Sequence, residues 1–90
     1  MRIRLYGFNG CPMCQELKNL LDKDNINYFY VDVYDEKYKK EVTKIFELAT
    51  VEAVPIVLIG QMVLAPDKSF KNIPHAHQII KTILAKSNKS

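Results

Sequence analysis

The sequence predicts a small α/β domain of order β-α-β-α-β-β-α, with a central four-stranded mixed sheet flanked by helices in two or three layers. Three observations predict it. Short apolar segments with strand character occur near the N-terminus, around residue 30 and after residue 55. Longer segments between and after them repeat their apolar residues at helical spacing. Gly, Asn and Pro punctuate the joins. Two strands separated by a helix are expected to lie parallel, and a closing hairpin adds an antiparallel edge. The 90 residues are expected to form one domain, 1–90, since no Gly-, Ser- or Pro-rich linker divides them.

The first strand is Arg2-Ile3-Arg4-Leu5-Tyr6, which alternates with period two and ends at Gly7, placing Ile3 and Leu5 on one face. Asn9-Gly10 makes the turn. Pro12 suits the first turn of a helix, and Cys14, Leu17, Leu20 and Leu21 carry the helical repeat to about Lys23, where Asp24-Asn25 stops it. Tyr28 to Val33 is a nearly continuous aromatic and branched run, the pattern of a strand covered on both faces. Asp35 is the expected cap of a second helix. Its apolar stripe is Tyr38, Val42, Ile45, Phe46 and Ala49, with Lys37, Lys39, Lys40, Glu41 and Lys44 facing water. Ile56 to Ile59, a Gly60-Gln61 turn and Met62 to Leu64 form a β-hairpin. The loop from Ala65 to Ile73 carries no readable pattern. A last helix follows Pro74 with Ile79, Ile80, Ile83 and Leu84 as its stripe, and residues 87–90 are expected to fray.

Composition removes several function classes. Hydrophobic residues at 48% and charged residues at 26% are the balance of an ordinary globule, not of a disordered, collagenous or repeat chain. The excess of 13 basic over 10 acidic residues is scattered, which gives nucleic-acid binding little support. Met1-Arg2-Ile3-Arg4 is followed by no apolar run of signal-peptide length, and no stretch approaches a membrane span, so a cytoplasmic protein without membrane attachment is expected.

The two cysteines are the informative feature, because they sit together as Cys11-Pro12-Met13-Cys14. A bridge closing so short a loop constrains the unfolded chain by only about 2 kcal/mol, which is a poor staple. At the start of a helix, however, the dipole and the free N–H groups of the first turn favour a thiolate on Cys11. Cys11 is therefore the candidate nucleophile toward a substrate disulfide. Cys14, one turn along and expected to be buried, is the candidate resolving thiol that attacks Cys11 and releases the reduced product. Pro12 fits the turn because its missing N–H would have no partner there.

Other readings of the pair need other ligands. Half of a zinc site would require His75, His77 or carboxylates, but the two histidines are spaced i, i+2, which on a helix sends them to different faces. They are expected to be surface residues, and no metal site is expected. Val54-Pro55 before an apolar strand is unremarkable alone, since proline at a strand's first residue need not donate to the ladder. Beside an upstream dithiol it gains meaning: a cis bond there turns the Val54 backbone outward, where an extended substrate can pair with it.

Cys11-Pro12-Met13-Cys14 after a first strand, followed by Ala53-Val54-Pro55-Ile56-Val57-Leu58-Ile59, resembles a glutaredoxin of the dithiol type, within the thioredoxin-like superfamily. The resemblance extends over nearly the whole chain. It implies a thioredoxin-like (glutaredoxin) fold and a cytosolic disulfide reductase that serves cell redox homeostasis, with glutathione as co-substrate and no tightly bound cofactor. Cys11 is then the attacking and Cys14 the resolving thiol, with cis Pro55 and the Val54 backbone cradling the glutathione cysteine. Phe8, Pro12 and Met13 complete the expected substrate contacts. The implied partners are glutathione and disulfide-containing proteins, and nothing demands more than a monomer.

Several positions depart from the family's pattern. Phe8 stands where glutaredoxins usually carry a lysine, Ala53-Val54-Pro55 replaces Thr-Val-Pro, and Glu52 occupies a commonly cationic position. The usual Gly-Gly and acidic residue after the last strand are replaced by Leu64-Ala65-Pro66-Asp67-Lys68-Ser69. These departures match an alternative: a glutathione-independent redoxin that donates electrons to ribonucleotide reductase and is itself reduced by thioredoxin reductase. Ser69-Phe70-Lys71 is similar to the Ser-Gly-Phe-Arg stretch of that group. Two further alternatives are an iron-sulfur or metal binding module, against which Pro12 argues, and an adaptor with an idle dithiol that uses Phe8, Met13 and Val54 as a partner surface.

Overall fold

A computed structural model describes residues 2–87. The elements are β1 (Ile3–Gly7), α1 (Pro12–Lys23), β2 (Phe29–Asp32), a 3-10 turn (Glu36–Tyr38), α2 (Lys39–Ala49), β3 (Ile56–Ile59), β4 (Met62–Leu64) and α3 (Ile73–Ser87). The expected element order is thus present. Of the end expected to fray, Ser87 closes α3 and residues 88–90 lie outside the described residues. The four strands lie in the order β2-β1-β3-β4. β1 pairs parallel with β2, and β3 runs antiparallel to both β1 and β4. The parallel pair and the hairpin are those the connection lengths require.

Period-two alternation divides the core into two layers around this sheet. Ile3 and Leu5 of β1, with Val57 and Ile59 of β3, pack against Leu17 and Leu21 of α1 and Ala76 and Ile80 of α3. Tyr6 and Ile56 point the other way, to Val42, Ile45 and Ala49 of α2. The result is a three-layer α/β arrangement. Among the described residues no polar or charged side chain is buried as a whole, so the core is held by apolar burial, at roughly 1.5–3 kcal/mol for each large side chain.

Three local expectations are corrected. β2 is an edge strand whose coverage is uneven: Val31 is fully buried and Tyr30 packs on the other face, but Phe29 is 46% exposed. Tyr28 and Tyr30 pack against the layer of α1 and α3, Val31 and Val33 against that of α2, and one edge stays open. The strand enclosed on both faces is β3, next to β1 at the centre. Asp35 caps the 3-10 turn, accepting from the Lys37 N–H at 3.0 Å, whereas α2 itself starts at Tyr38 without a side-chain cap. Glu41 turns only partly to water. Its carboxylate accepts two hydrogen bonds from Arg4, at 2.6 and 2.8 Å, and one from the Tyr6 hydroxyl at 2.6 Å, tying α2 to β1.

The unread loop is ordered by its own hydrogen bonds. The Ser69 hydroxyl oxygen accepts from the Ala65 N–H at 3.1 Å, Ala65 O accepts from the Ser69 N–H at 2.9 Å, and Asp67 adopts a left-handed φ of 65°. Phe70, 2% exposed, inserts into the layer under α1 and α3. Asn72 then caps α3, its Oδ1 accepting from the His75 N–H at 2.8 Å, while His75 Nδ1 accepts from the Lys71 N–H at 3.1 Å.

Candidate active site

The site is assembled by the strand ends. Tyr6 pairs with Ile56, so the chain leaves β1 through Gly7 and Phe8 at the same end of the sheet where Val54-Pro55 leads into β3. The loop after Phe8 is closed by a Cys11 N–H bond to Phe8 O of 3.2 Å and delivers Cys11 to the N-cap of α1. Pro12 occupies the first turn as expected, and both it and Met13 are exposed. Pro55 is buried, Val54 is half-buried, and the peptide bond between them is cis, as the resemblance implies.

Cys11 and Cys14 form a disulfide with Cα atoms 5.2 Å apart. The two sulfurs are not equivalent. Cys11 retains 7% exposure and Cys14 has none, so only the first can meet a substrate without local opening. Cys11 Sγ also accepts the Cys14 backbone N–H at 3.1 Å. In a reduced protein that donor, together with the dipole of α1, favours the thiolate on Cys11. No acidic residue lies in the first turn of α1 to oppose it.

Gly7 provides the space under this turn. A Cβ added there would stand 2.7 Å from Cys14 Sγ and 2.9 Å from the Tyr30 hydroxyl, closer than real Cβ atoms approach. Backbone therefore packs directly against the inner sulfur. Phe8 is half-buried, with its ring 5.3 Å from that of Tyr34, which is 77% exposed. The pair forms an aromatic rim beside the dithiol loop.

The histidines serve other ends. His75 completes the cap of α3, and His77 Nε2 lies 2.6 Å from Asp24 Oδ2, joining α3 to the end of α1. Among the described residues no three His, Cys, Asp or Glu side chains are grouped to hold a metal ion. A charged cluster of Arg4, Tyr6 and Glu41 lies on the opposite face of the sheet. Burial works against the Glu41 carboxylate, but hydrogen bonds from Arg4 and then Tyr6 outweigh it and hold Glu41 below its ordinary range. Burial and the bond to Glu41 push the Tyr6 hydroxyl up to about 12.

A family model for glutaredoxin matches residues 3–64, from β1 to the end of β4. Glutaredoxin 1 of Escherichia coli (strain K12) is 33% identical over 66 residues, 68% of this chain and 78% of that protein. This chain belongs to the glutaredoxin family. With its Cys11-Cys14 pair it is a thiol-disulfide oxidoreductase. Solved glutaredoxin structures share the fold. Glutaredoxin 1 from Francisella tularensis superposes with a TM-score of 0.65 at 17% identity, covering 93% of this chain and 96% of that one. The glutaredoxin-like protein NrdH-redoxin from Escherichia coli gives 0.60 at 19%, covering 77% and 87%. The family match stops at Leu64, where the loop closed by Ser69 and Phe70 begins.

Sequence reasoning missed Gly7 as more than a strand end, although a glycine directly before the dithiol loop is a readable signal for close approach. It also missed Glu41, since a carboxylate among lysines reads as solvated until its partners on β1 are known. Asn72 was within reach: Asn two residues before a proline in the first turn marks a helix start.

Proposed function

We propose that the chain reduces protein disulfides and glutathione mixed disulfides through Cys11 as attacking thiol and Cys14 as resolving thiol. The observation that carries this reading is the bond from the Cys14 N–H to Cys11 Sγ at a helix N-terminus, joined to the difference in exposure of the two sulfurs. Cys11 thiolate attacks one sulfur of the substrate disulfide, and the other leaves as a thiolate that takes a proton from water. Cys14, as thiolate, then attacks Cys11 Sγ. The Cys11–Cys14 bond forms, the bond to the substrate breaks, and the second substrate thiol departs. Two protein thiols have been oxidised and one substrate disulfide reduced, and an external dithiol or two glutathione molecules restore the start.

Val54, cis Pro55, Phe8, Pro12 and Met13 are assigned as the substrate-contacting surface, with no tightly bound cofactor and a cytoplasmic setting. The supporting observation is that β1 and β3 bring both segments to one sheet end. Turnover of a glutathione mixed disulfide by the wild type and by Cys11→Ser tests the assignment. Loss of at least a thousandfold is expected, and equal activity refutes it.

A second reading is favoured by Phe8. At the position where the family usually offers a cation, the chain presents a ring tilted against that of Tyr34. That suits an apolar protein surface better than a peptide carboxylate, in keeping with a redoxin recycled by thioredoxin reductase and serving ribonucleotide reductase. NrdH-redoxin, of the same fold, is described as having a thioredoxin-like activity profile. Faster reduction of the Cys11–Cys14 disulfide by thioredoxin reductase than by glutathione would select this reading, and the reverse would discard it.

A further inference from the structure

We propose that Tyr30 is a positioning residue for the inner sulfur: in the dithiol state its hydroxyl donates a hydrogen bond to Cys14 Sγ. The proposal rests on the reading of Cys14 as the resolving thiol. Its starting point is an anomaly of the disulfide form. The Tyr30 oxygen is buried and has no hydrogen-bond partner among the described residues, a state that folded proteins seldom leave without a reason.

Geometry supplies the reason. The point that a Gly7 Cβ would occupy lies 2.7 Å from Cys14 Sγ and 2.9 Å from the Tyr30 oxygen, so sulfur and hydroxyl border the same small space left by the glycine. The ring reaches that space by running along α1. Lys18, one turn after Cys14 on the same helix face, holds its Nζ 4.3 Å from the Tyr30 ring centroid. A disulfide sulfur is a feeble acceptor, and the hydroxyl is left waiting. Reduction turns Cys14 into a thiol or thiolate, a better acceptor, at a position with no exposure to water.

The phenol is suited to donate. Burial, and then the charge of Asp32, raise its pKa, keeping the proton on oxygen through the neutral range. The other titratable groups around it are Lys18, over the ring, and Tyr28, two residues back on the same chain segment. When Cys14 attacks the mixed disulfide, Tyr30 keeps its proton. The electron pair leaves on the substrate sulfur, and the hydrogen bond is lost as Cys14 becomes a disulfide sulfur again. Tyr30 therefore stabilises the reduced protein over the oxidised one.

The test is Tyr30→Phe, which removes one oxygen and keeps the ring. The equilibrium constant for reduction against a reference dithiol should fall about tenfold, equivalent to ~30 mV toward more reducing values. Chemical unfolding should show the reduced form weakened and the oxidised form unchanged or strengthened. A constant within twofold of wild type, or an equal loss in both forms, overturns the proposal. Repeating the substitution on Cys14→Ala gives a measurement independent of redox cycling: with the acceptor gone, Tyr30→Phe should cost no stability, and a loss there also overturns it. Absence of turnover in the wild type would instead count against the oxidoreductase reading, so the two failures are distinct.

Discussion

Helices α1 and α2 are nearly equal in length and begin in opposite ways. α1 starts at a cysteine whose sulfur accepts the Cys14 N–H of the first turn, with no carboxylate in that turn. α2 starts at Tyr38 without a side-chain cap, and its first turn carries Glu41, gripped by Arg4 and Tyr6 from β1. Both helices present the same partial positive charge at this end. Where a carboxylate answers it, the helix is anchored to the sheet and the end is chemically quiet. Where it is left to a sulfur, the same charge becomes a means of making a thiolate. The reactive end thus differs from the structural one chiefly in what is withheld from it.

The largest expected effect on this contrast comes from filling the space beneath α1. Gly7→Ala pushes a methyl group against Cys14 and should cost about 1–3 kcal/mol of stability, as overpacked sites do. Denaturant unfolding measures it, and an unchanged midpoint would mean that Cys14 moves aside freely. Next, Glu41→Gln should loosen α2 by about 1 kcal/mol, discounted because both ionic partners are 33% exposed. Cys11 reactivity should not change. The pH dependence gives a further check. The Glu41 carboxyl is held below its ordinary value of 4.5, so its contribution is complete above that pH and disappears as pH falls through the lower folded value. Wild type and Glu41→Gln should therefore converge in acid. At the alkaline extreme the raised Tyr6 behaves oppositely, its contribution present below 10.0 and lost as pH rises through about 12. Smallest is Met13→Glu, which gives α1 the carboxylate that α2 already has. The pKa of the Cys11 thiol should rise by about 0.2–0.7, from repulsion by the added carboxylate worth ~0.3–1 kcal/mol at an exposed position. Ultraviolet titration of the reduced protein reads it, and no change would mean that solvent screens a first-turn charge from Cys11.

Much of this arrangement was legible in the residues. Alternation in Ile3-Arg4-Leu5-Tyr6 and the helical spacing of Cys14, Leu17 and Leu21 are local signals, and local rules produced the right elements in the right order. The dithiol and Val54-Pro55 were legible for the same reason, each being a contiguous word with a backbone meaning. What escaped depended on partners distant in sequence. Glu41 looks like any surface carboxylate until Arg4, 37 positions away, is placed opposite it. Tyr30 looks like core until its oxygen proves unpaired. The loop after Leu64 escaped because its order comes from one serine bonding Ala65 and, in β4, Val63, and from one phenylalanine reaching inward, which leaves no period to detect.

The sheet's rim has a consequence for a thiol-disulfide oxidoreductase. Its outer strands, β2 and β4, are only four and three residues long. Short borders offer a visiting polypeptide few free main-chain groups on which to lay down another strand. A cysteine-bearing segment bound at the dithiol end would thus have little to hold it along the sides of the sheet once its bond has been exchanged.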